Sequence, residues 1–305
     1  MLRIIKSLNY RSDLFINRIK YIFNIGKIRN NNPRILNTID TINLIATKNY
    51  SFSRFGDGEF YLMLGLNYSP FQECTPELTN DLLEIICSNK SGMLIRLPDT
   101  FNDVKKYERN SKKFWQSFMG KYRNQIIKCL PHNYLEISYG NTNSTRFYSD
   151  MKDKSLSKFY IKYFKKIWNK KTVICIEGEK TRLGVGNDLF DNTIDVKRIL
   201  VPAKNAYSEI YHVLEWIIEN IVTENTIFIL AAGMAATVLS YRLFENGFQA
   251  LDLGHIDIQY EYLLRKSHGK EAIPGKYVNE NMQGRNPNDE ILDDKYQKSI
   301  IAKFL

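Results

Sequence analysis

The stretch IFILAAGMAATVLSYRLFENGFQALDL, residues Ile227–Leu253, decides the fold of this chain. Its first apolar run, Ile227–Ala231, predicts a strand, and Met234–Glu245 predicts a helix that stops at Gly247. A second strand-like run, Ala250–Leu253, follows directly. Strand, helix and strand in this order are typical of a parallel sheet with crossover helices. We therefore predict an α/β fold with a mostly parallel sheet.

The same pattern extends towards the N-terminus. Apolar runs at Val173–Ile176 and Arg198–Val201 predict two more strands, and Tyr207–Val222 carries a helical apolar face. Further upstream, Pro76–Cys87 predicts a helix and Met93–Leu97 predicts a strand. Parallel sheets bind ligands at the carboxyl ends of their strands, so we expect the chemistry in the loops that follow these strands.

Composition limits the class of protein. The chain has 305 residues, is 44% hydrophobic and contains no run of 18 apolar residues, which indicates a soluble globular protein of one large or two smaller domains. Its four cysteines are far apart and form no C-x-x-C pair, so neither a zinc site nor a disulfide framework is expected. Free thiols and the lack of a visible secretory signal indicate a cytoplasmic protein.

The net charge of +10 is concentrated in two segments. Residues 1–35 hold eight Lys or Arg against one acidic residue, and residues 101–171 hold seventeen against five, which favours an anionic surface or polymer as partner. Residues 1–30 also carry regularly spaced apolar side chains. They predict one or two amphipathic helices that either pack on the protein's own core or bind an anionic membrane surface. Nucleic acid is not expected, because the second segment, predicted as helices around a strand near Tyr134–Tyr139, has no RNA-binding signature.

The segment RFGDGEF, Arg54–Phe60, places Asp57 and Glu59 on either side of a glycine and just after an arginine. Two glycines in so short a segment predict a turn or a close approach of the backbone, because the segment is too glycine-rich for a helix or a central strand. One interpretation is a surface turn with solvated charges. The other is a divalent-metal site, because Mg²⁺ and Mn²⁺ take carboxylate oxygens and often bridge one or two side chains to substrate phosphates.

Two glycine-containing loops follow predicted strands. In EGEKTRLGVGNDLF, Glu177–Phe190, the backbone around Gly184 and Gly186 can form an anion-binding nest beside Arg182, although a plain turn gives the same pattern. Further along, Gly233 leads from a strand directly into a helix. The N-terminus of that helix can hold a phosphate, or its small residues serve only helix–sheet packing.

A third loop carries three ionisable side chains. The sequence DLGHIDIQYEYL, Asp252–Leu263, places His255, Asp257 and Glu261 just beyond a predicted strand. A single histidine near an apolar strand is usually structural. Three ionisable groups at the carboxyl end of a strand instead favour acid–base chemistry, because neighbouring groups tune their pKa values.

The chain resembles the bacterial GT-D-fold glycosyltransferases in four blocks that run from Ser51 to Leu264. These blocks are SxSRFGDGE, EGExTRxGVGNDLF, RILVPAKNAY and GHIDIQYEY. The resemblance implies a Rossmann-like α/β fold, a nucleotide-sugar donor (UDP-glucose in characterised relatives) and a D-x-E motif for Mn²⁺ or Mg²⁺, onto which Asp57 and Glu59 fall. One departure is the helix-start loop, which tends to be Gly-Pro-Thr-Ala-Thr in the family and is Gly-Met-Ala-Ala-Thr at Gly233–Thr237 here.

The motifs assign predicted roles to individual residues. Asp57 and Glu59 are expected to hold an ion that neutralises the leaving diphosphate. Asp257 is the predicted catalytic base, with His255 positioning the acceptor or a phosphate and Glu261 supporting the pair. The donor nucleotide and its phosphates are expected to contact Arg54, Gly56, Arg182, Gly184, Gly186, Asn187, Asp188, Gly233 and Thr237.

We therefore predict a metal-dependent glycosyltransferase. It would move glucose or a related hexose from a UDP-sugar to a glycan or lipid-linked saccharide, in bacterial surface polysaccharide or glycoprotein synthesis. Its expected parts are a basic amphipathic arm (residues 1–35) at the inner face of the membrane, a catalytic domain (residues 36–270) and a C-terminal tail (residues 271–305). Two alternatives stay open: another Rossmann-like transferase, such as a methyltransferase that uses the Gly184–Gly186 loop, or a non-catalytic module that binds nucleic acid or membrane.

Overall fold

A sheet of nine parallel strands forms the centre of the computed structural model, which describes residues 12–23, 31–67, 71–285, 287 and 293–305. The strands are β1 (Arg34–Ile35), β2 (Ser51–Arg54), β3 (Met93–Leu97), β4 (Ser138–Asn141), β5 (Thr172–Gly178), β6 (Asp195–Val201), β7 (Thr226–Ala231), β8 (Gln249–Asp252) and β9 (Ile300–Lys303). The helices are α1 (residues 12–23), α2 (Thr38–Lys48), α3 (Asp57–Met63), α4 (Pro76–Ile86), α5 (Arg109–Cys129), α6 (Ser157–Ile167), α7 (Ile210–Asn220), α8 (Ala235–Glu245), α9 (Ile256–Arg265) and α10 (Asp294–Ser299).

The strand order is β1-β4-β3-β2-β8-β7-β5-β6-β9, and each pair of neighbours runs parallel. The predicted α/β fold with a parallel sheet is confirmed. The stretch that decides the fold forms β7, α8 and β8, each within one residue of its predicted bounds. The strand predicted near Tyr134–Tyr139 begins only at Ser138, because residues 131–137 form turns after Pro131.

Helices cover both faces of the sheet. Ile227 and Ile229 of β7 belong to an apolar cluster that includes residues of α2, α6 and α9. Phe228 and Leu230 of the same strand belong to the opposite cluster, with residues of α4, α5, α7 and α8. Successive side chains of a strand point to opposite faces, so a strand covered on both sides buries every residue. This burial explains the unbroken apolar runs of the central strands.

The prediction that Arg54–Phe60 is too glycine-rich for a helix or a central strand is wrong. Arg54 ends β2, which lies between β3 and β8 in the sheet, and α3 begins at Asp57. Gly56 is the N-cap of α3, and the Glu59 carboxylate accepts a hydrogen bond from the Gly56 N–H at 2.7 Å. Acidic side chains in the first turn stabilise a helix because they face its partial positive charge. The glycines and acids therefore start a helix at the carboxyl end of a central strand.

Part of the segment predicted as a C-terminal tail belongs to the same fold. After α10, strand β9 pairs in parallel with β6 at the edge of the sheet. The Tyr277 N–H donates a hydrogen bond to the Lys180 carbonyl at 3.0 Å, which joins the chain beyond residue 270 to the loop after β5. Across the described ranges, we find no helix with both the length and the apolar character needed to span a bilayer.

Candidate active site

A cavity of about 1010 Å³ lies at the carboxyl edge of the sheet. Its walls include loops that follow β2, β4, β5, β6, β7 and β8. Ligands of parallel sheets bind at this edge, where the strand ends leave a crevice. Seven residues with predicted roles line the cavity: Arg54, Gly56, Asp57, Glu59, Gly233, His255 and Asp257.

Arg54 and Asp252 face each other at the ends of two neighbouring strands. Arg54 Nε lies 3.8 Å from Asp252 Oδ1, and Asp252 is buried. The Arg54 guanidinium packs on Gly254, where an added Cβ would lie 3.2 Å from Arg54 Cζ and where φ is +50°. The buried Thr237 hydroxyl lies 2.8 Å from the Arg54 carbonyl and 3.2 Å from Asp252 Oδ2. Thr237 therefore holds the two strand ends together, and its predicted donor contact stays a prediction.

Glu59 is buried beside this ion pair. Burial raises the pKa of Glu59 to about 7, while Arg54 opposes the rise and Asp252 adds to it. Its Oε2 is engaged with the Gly56 N–H. Glu59 thus stabilises the start of α3 and adds a titratable group to the cavity wall.

Asp57 lines the cavity from the first turn of α3. Within the described part of the chain, no other residue donates a hydrogen bond to its carboxylate or forms an ion pair with it. Burial raises the pKa of Asp57, although Arg146 and Arg54 act in the opposite direction. A partly buried carboxylate without a partner of its own suits a ligand that brings positive charge.

The two carboxylates of α3 fit a metal ion that is shared with a ligand. Among the residues that the structure describes, no group of three or more His, Cys, Asp or Glu side chains is placed to hold a metal ion. Mg²⁺ and Mn²⁺ need no such group, because they usually bind one or two carboxylates together with water and substrate phosphates. Asp57, with Glu59 in the same helical turn, supplies that kind of oxygen ligand.

His255 lines the cavity at the start of α9, where it is the N-cap residue. Burial and, to a smaller extent, the positive charge of Arg146 lower the pKa of His255 to about 4. The ring is therefore neutral at pH 7 and can accept a proton or a hydrogen bond. No hydrogen bond joins this ring to another residue of the described ranges, so the ring is available to a ligand.

Asp257 and Glu261 form a buried cluster with Lys276. Lys276 Nζ lies 2.6 Å from Asp257 Oδ2 and 3.1 Å from Glu261 Oε1. Asn187 Nδ2 donates to Asp257 Oδ1 at 2.8 Å and to Glu261 Oε1 at 2.7 Å. Burial alone would raise the pKa of Glu261, but Lys276 and Asn187 hold it below its usual value. The structure thus brings Asp257 and Glu261 together as predicted, with protein partners for both carboxylates.

Lys276 was missed by sequence reasoning. It lies 15 residues beyond Glu261, in a polar segment outside the four motif blocks. A single lysine among polar residues carries no periodic or motif signal. Only the fold shows that it is buried against two carboxylates.

The loop after β5 meets the cavity through residues other than those predicted. Arg182 is buried, and its Nη1 donates to the Gly275 carbonyl at 2.7 Å. Asp188 pairs with Lys165 at 2.7 Å. The residues of this loop that line the cavity are Gly178, Lys180, Thr181 and Leu183. A nucleotide contact by Arg182 or by Gly184–Asp188 stays a prediction.

A network of alternating charges forms another wall of the cavity. Asp150 accepts hydrogen bonds from Arg146 Nε at 2.5 Å and from the Ser111 hydroxyl at 2.7 Å. Lys270 Nζ lies 3.0 Å from both Asp150 and Glu280, and Glu280 also pairs with Arg146. Burial opposes ionisation, but Arg146 and Lys270 hold the pKa values of Asp150 and Glu280 below their usual values. None of these residues was predicted, because they come from distant segments without a shared motif.

Comparisons with known proteins agree with this architecture. The family model described as "Glycosyltransferase GT-D fold" matches residues 52–281. A probable glycosyl transferase, Gly, of Streptococcus gordonii is 32% identical over 276 residues, which cover 88% of this chain and 39% of that protein. The glycosyltransferase GlyD of Streptococcus pneumoniae serotype 4 is 33% identical over 268 residues, which cover 87% of this chain and 32% of that protein. The chain therefore spans less than two fifths of the length of these curated relatives.

Two solved structures have the same fold along almost the whole chain. One, described as the highly conserved domain of unknown function 1792 with a distinct glycosyltransferase fold, has a TM-score of 0.84 and 30% identity over 93% of this chain and 99% of that chain. The other, a glycosyltransferase from Streptococcus sanguinis, has a TM-score of 0.81 and 30% identity over 90% of this chain and 100% of that chain.

A parallel sheet with a cavity at its carboxyl edge that carries both charged and apolar side chains defines a ligand-binding α/β protein. The family model and the relatives that match this chain show to which family of α/β proteins it belongs. The chain belongs to the GT-D-fold glycosyltransferase family. The resemblance found in the four sequence blocks is therefore confirmed.

Proposed function

We propose that this chain transfers glucose or a related hexose from a UDP-sugar to a saccharide hydroxyl, with the help of Mn²⁺ or Mg²⁺. The observation that carries the proposal is the placement of Asp57 and Arg54 on the wall of one cavity at the carboxyl edge of the sheet. A carboxylate without a protein partner beside a fixed cation suits a diphosphate that arrives with a divalent metal ion.

The strand-end loops support a nucleotide diphosphate in the same place. The starts of α8 and α9 line the cavity at Gly233 and at Gly254–His255, and helix N-termini attract anions. Open space lies beside Gly233, whereas the Arg54 guanidinium packs on Gly254, and the φ values of +60° and +50° at these two positions favour glycine. Lys180 adds a positive charge to the cavity wall. These groups favour an anion over a neutral ligand in this part of the cavity.

The transfer requires one bond to form and one to break. The acceptor hydroxyl oxygen forms a bond to the anomeric carbon, and the bond between that carbon and the diphosphate oxygen breaks. The electron pair of the broken bond stays on UDP, and the hydroxyl proton passes to a base or to the leaving phosphate. Asp57 and Glu59 would hold the metal ion, which supplies positive charge to the leaving diphosphate.

Two residues compete for the role of base. Asp257 lines the cavity, but its two carboxylate oxygens are engaged with Lys276 and Asn187. His255 lines the same cavity with a ring that is neutral at pH 7, because burial lowers its pKa to about 4. A base must reach the acceptor hydroxyl within hydrogen-bond distance. These contacts favour His255 as the residue that accepts the proton. They favour Asp257 as a residue that holds α9 in place, and its predicted role as the base is still to be tested.

Association with the membrane surface is supported by helix α1. One side of α1 packs on α5: Asn17 and Tyr21 are buried, and a Cβ added at Gly120 would lie 1.9 Å from the Asn17 carbonyl oxygen. The other side exposes an apolar stripe made by Phe15, Ile16, Ile19, Ile22 and Phe23. An amphipathic helix usually turns its apolar side to the core, so this orientation is unusual.

An anionic lipid surface is the binding partner that fits this apolar stripe. Residues 1–35 hold eight Lys or Arg against one acidic residue, and Arg18 and Lys20 lie within α1 itself. Apolar side chains flanked by basic ones are typical of helices that lie in the membrane interface. We propose that α1 holds the enzyme at the cytoplasmic face of the membrane, where lipid-linked saccharides are available. The rest of the predicted arm, residues 1–11 and 24–30, lies outside the described residues.

The test of the proposed function is a screen for nucleotide release. The purified chain is incubated with UDP-, GDP-, ADP- and CMP-linked sugars, and the free nucleotide is measured with and without EDTA. The expected result is hydrolysis of a UDP-hexose that stops with EDTA and returns with Mn²⁺ or Mg²⁺. Binding of S-adenosylmethionine without any sugar-nucleotide turnover would instead support the methyltransferase alternative. No turnover and no binding would support a non-catalytic module.

A further inference from the structure

Phe114 places an aromatic ring on the wall of the cavity, beside charged and polar side chains. It lies in the second turn of α5 and is 39% exposed, although it lines the cavity. Its ring packs at a centroid distance of 5.3 Å from Trp115 and 6.0 Å from Phe118, both of which are buried. These neighbours fix one side of the ring. A rigid apolar surface of this kind, beside polar side chains, suits a ligand with an apolar face of similar size.

The polar groups around Phe114 carry little net charge. Arg146 and Lys270 are matched by Asp150 and Glu280, which pair with them. Each carboxylate is thus neutralised within the wall, whereas Asp57 is not paired in this way. A charge-balanced set of donors and acceptors favours a neutral ligand with many hydroxyl groups over an anion.

A sugar ring combines both properties. Its hydroxyl groups lie around the rim and accept or donate hydrogen bonds, while its C–H bonds form an apolar face that packs on aromatic rings. A cavity of about 1010 Å³ is at the upper end of the range of roughly 300–1,000 Å³ for small-molecule sites, so its volume leaves room for a saccharide beside a nucleotide sugar.

The same wall reaches the place where transfer would occur. Arg146 belongs to the charged network and lines the same cavity as Asp57 and His255. A ligand that contacts Arg146 therefore shares this cavity with the groups assigned to the metal ion and to proton transfer.

We propose that the wall formed by Ser111, Phe114, Arg146, Asp150 and Lys270 is the acceptor site, and that it binds a neutral hexose or N-acetylhexosamine unit against the Phe114 ring. This inference rests on the proposed function, because it names the acceptor of the same reaction. It assigns Phe114 to acceptor binding and gives it no part in binding the donor.

The test uses Phe114→Ala in the full chain. Binding of nitrophenyl glycosides of glucose, galactose, mannose and N-acetylglucosamine is measured by saturation-transfer NMR in the presence of UDP and the diamagnetic ion Mg²⁺. We expect at least one glycoside to bind the wild type, with a dissociation constant roughly tenfold higher in Phe114→Ala. Phe114→Tyr keeps the ring and should restore binding. Calorimetry should give the same UDP affinity for all three proteins.

Phe159 offers a matched control. It is 38% exposed on α6 and does not line the cavity, so Phe159→Ala removes an equally exposed ring from another helix. Glycoside binding that survives Phe114→Ala, or that falls equally in Phe159→Ala, would overturn the proposal. The proposal would also be overturned if none of the glycosides binds to a wild-type protein that hydrolyses UDP-sugars. Failure of the proposed function is a separate result, because it appears as absent UDP-sugar turnover in the wild type.

Discussion

Lys276 Nζ lies 2.6 Å from Asp257 Oδ2, and both side chains are almost fully buried. Lys276 also reaches Glu261 at 3.1 Å, so one buried cation serves two carboxylates. The pairing joins α9 to the chain beyond residue 270 and fixes the strand-end loop that carries His255. The ion pair therefore links the C-terminal part of the chain to the candidate active site.

Replacing Lys276 should destabilise the fold strongly. Lys276→Met leaves the buried Asp257 carboxylate without a cation, whereas Glu261 keeps Arg265 at 3.2 Å. We expect the free energy of unfolding to fall by about 3–5 kcal/mol. Urea denaturation measures this loss. Lys162 on α6 is exposed and is the control, because Lys162→Met should change the free energy by less than about 0.5 kcal/mol. Equal effects of the two substitutions would contradict the role assigned to Lys276.

His255 should make stability depend on pH. Its pKa is about 4 in the folded chain and 6.5 when unperturbed, so the unfolded chain binds the proton first as the pH falls. Stability therefore decreases from pH 7 to pH 5, by about 2 kcal/mol from this residue alone. His255→Gln should remove that part of the decrease, measured by urea denaturation at both pH values. A variant with the same pH dependence as the wild type would show that the histidine titrates normally.

The base is identified by comparing His255→Gln with Asp257→Asn. If His255 takes the proton, His255→Gln should lower the rate of transfer by about 100-fold or more while UDP binding is kept. Asp257→Asn should mainly lower stability, because the amide cannot pair with Lys276 as the carboxylate does. The measurements are transfer rates, UDP calorimetry and urea denaturation. Full loss of transfer in a stable Asp257→Asn protein would instead support the predicted base.

The fold could be predicted from the sequence because its central strands are buried on both faces. Ile227–Ala231 and Ala250–Leu253 are apolar at nearly every position, and Gly247 marks the helix end between them. Strands at the edge of the sheet lack this unbroken apolar run. Ile300–Lys303 forms the last strand of the sheet, but it is short and only partly buried. Its pairing with β6 depends on tertiary contacts that a local pattern does not contain.

The site could be predicted only where its residues adjoin a strand end. Asp57 and His255 follow strands directly, and both line the cavity. Arg146, Lys270 and Phe114 line it as well, but they are brought together from three distant segments. The error at Arg54–Phe60 has a local cause. Glycine usually ends helices, yet here the acidic residues of the first turn compensate for its low helix propensity.

Metal binding should depend more on Asp57 than on Glu59. Asp57→Asn removes a carboxylate that has no protein partner, so Mn²⁺ binding in the presence of UDP should weaken, and turnover should fall by about 100-fold or more. Glu59→Gln keeps an oxygen that can accept the Gly56 N–H, and we expect a smaller loss. Electron paramagnetic resonance of Mn²⁺ measures binding directly. Glu219→Gln on α7 is an exposed control. Unchanged Mn²⁺ affinity in Asp57→Asn would exclude this residue as a ligand.

Vesicle binding should depend on the apolar stripe of α1. Phe15 and Phe23 are 61% and 76% exposed, so Phe15→Ser/Phe23→Ser should leave the fold intact. Because both rings would enter the lipid interface, the double variant should bind phosphatidylglycerol–phosphatidylcholine vesicles more than about tenfold more weakly in sedimentation. High salt should weaken wild-type binding, since it would screen the attraction between a basic arm and anionic lipid. Ile218→Ser on α7, a site 49% exposed, is the control. If the stripe instead forms an interface with another protein chain, the double variant should bind vesicles as the wild type does and should have an altered oligomeric state.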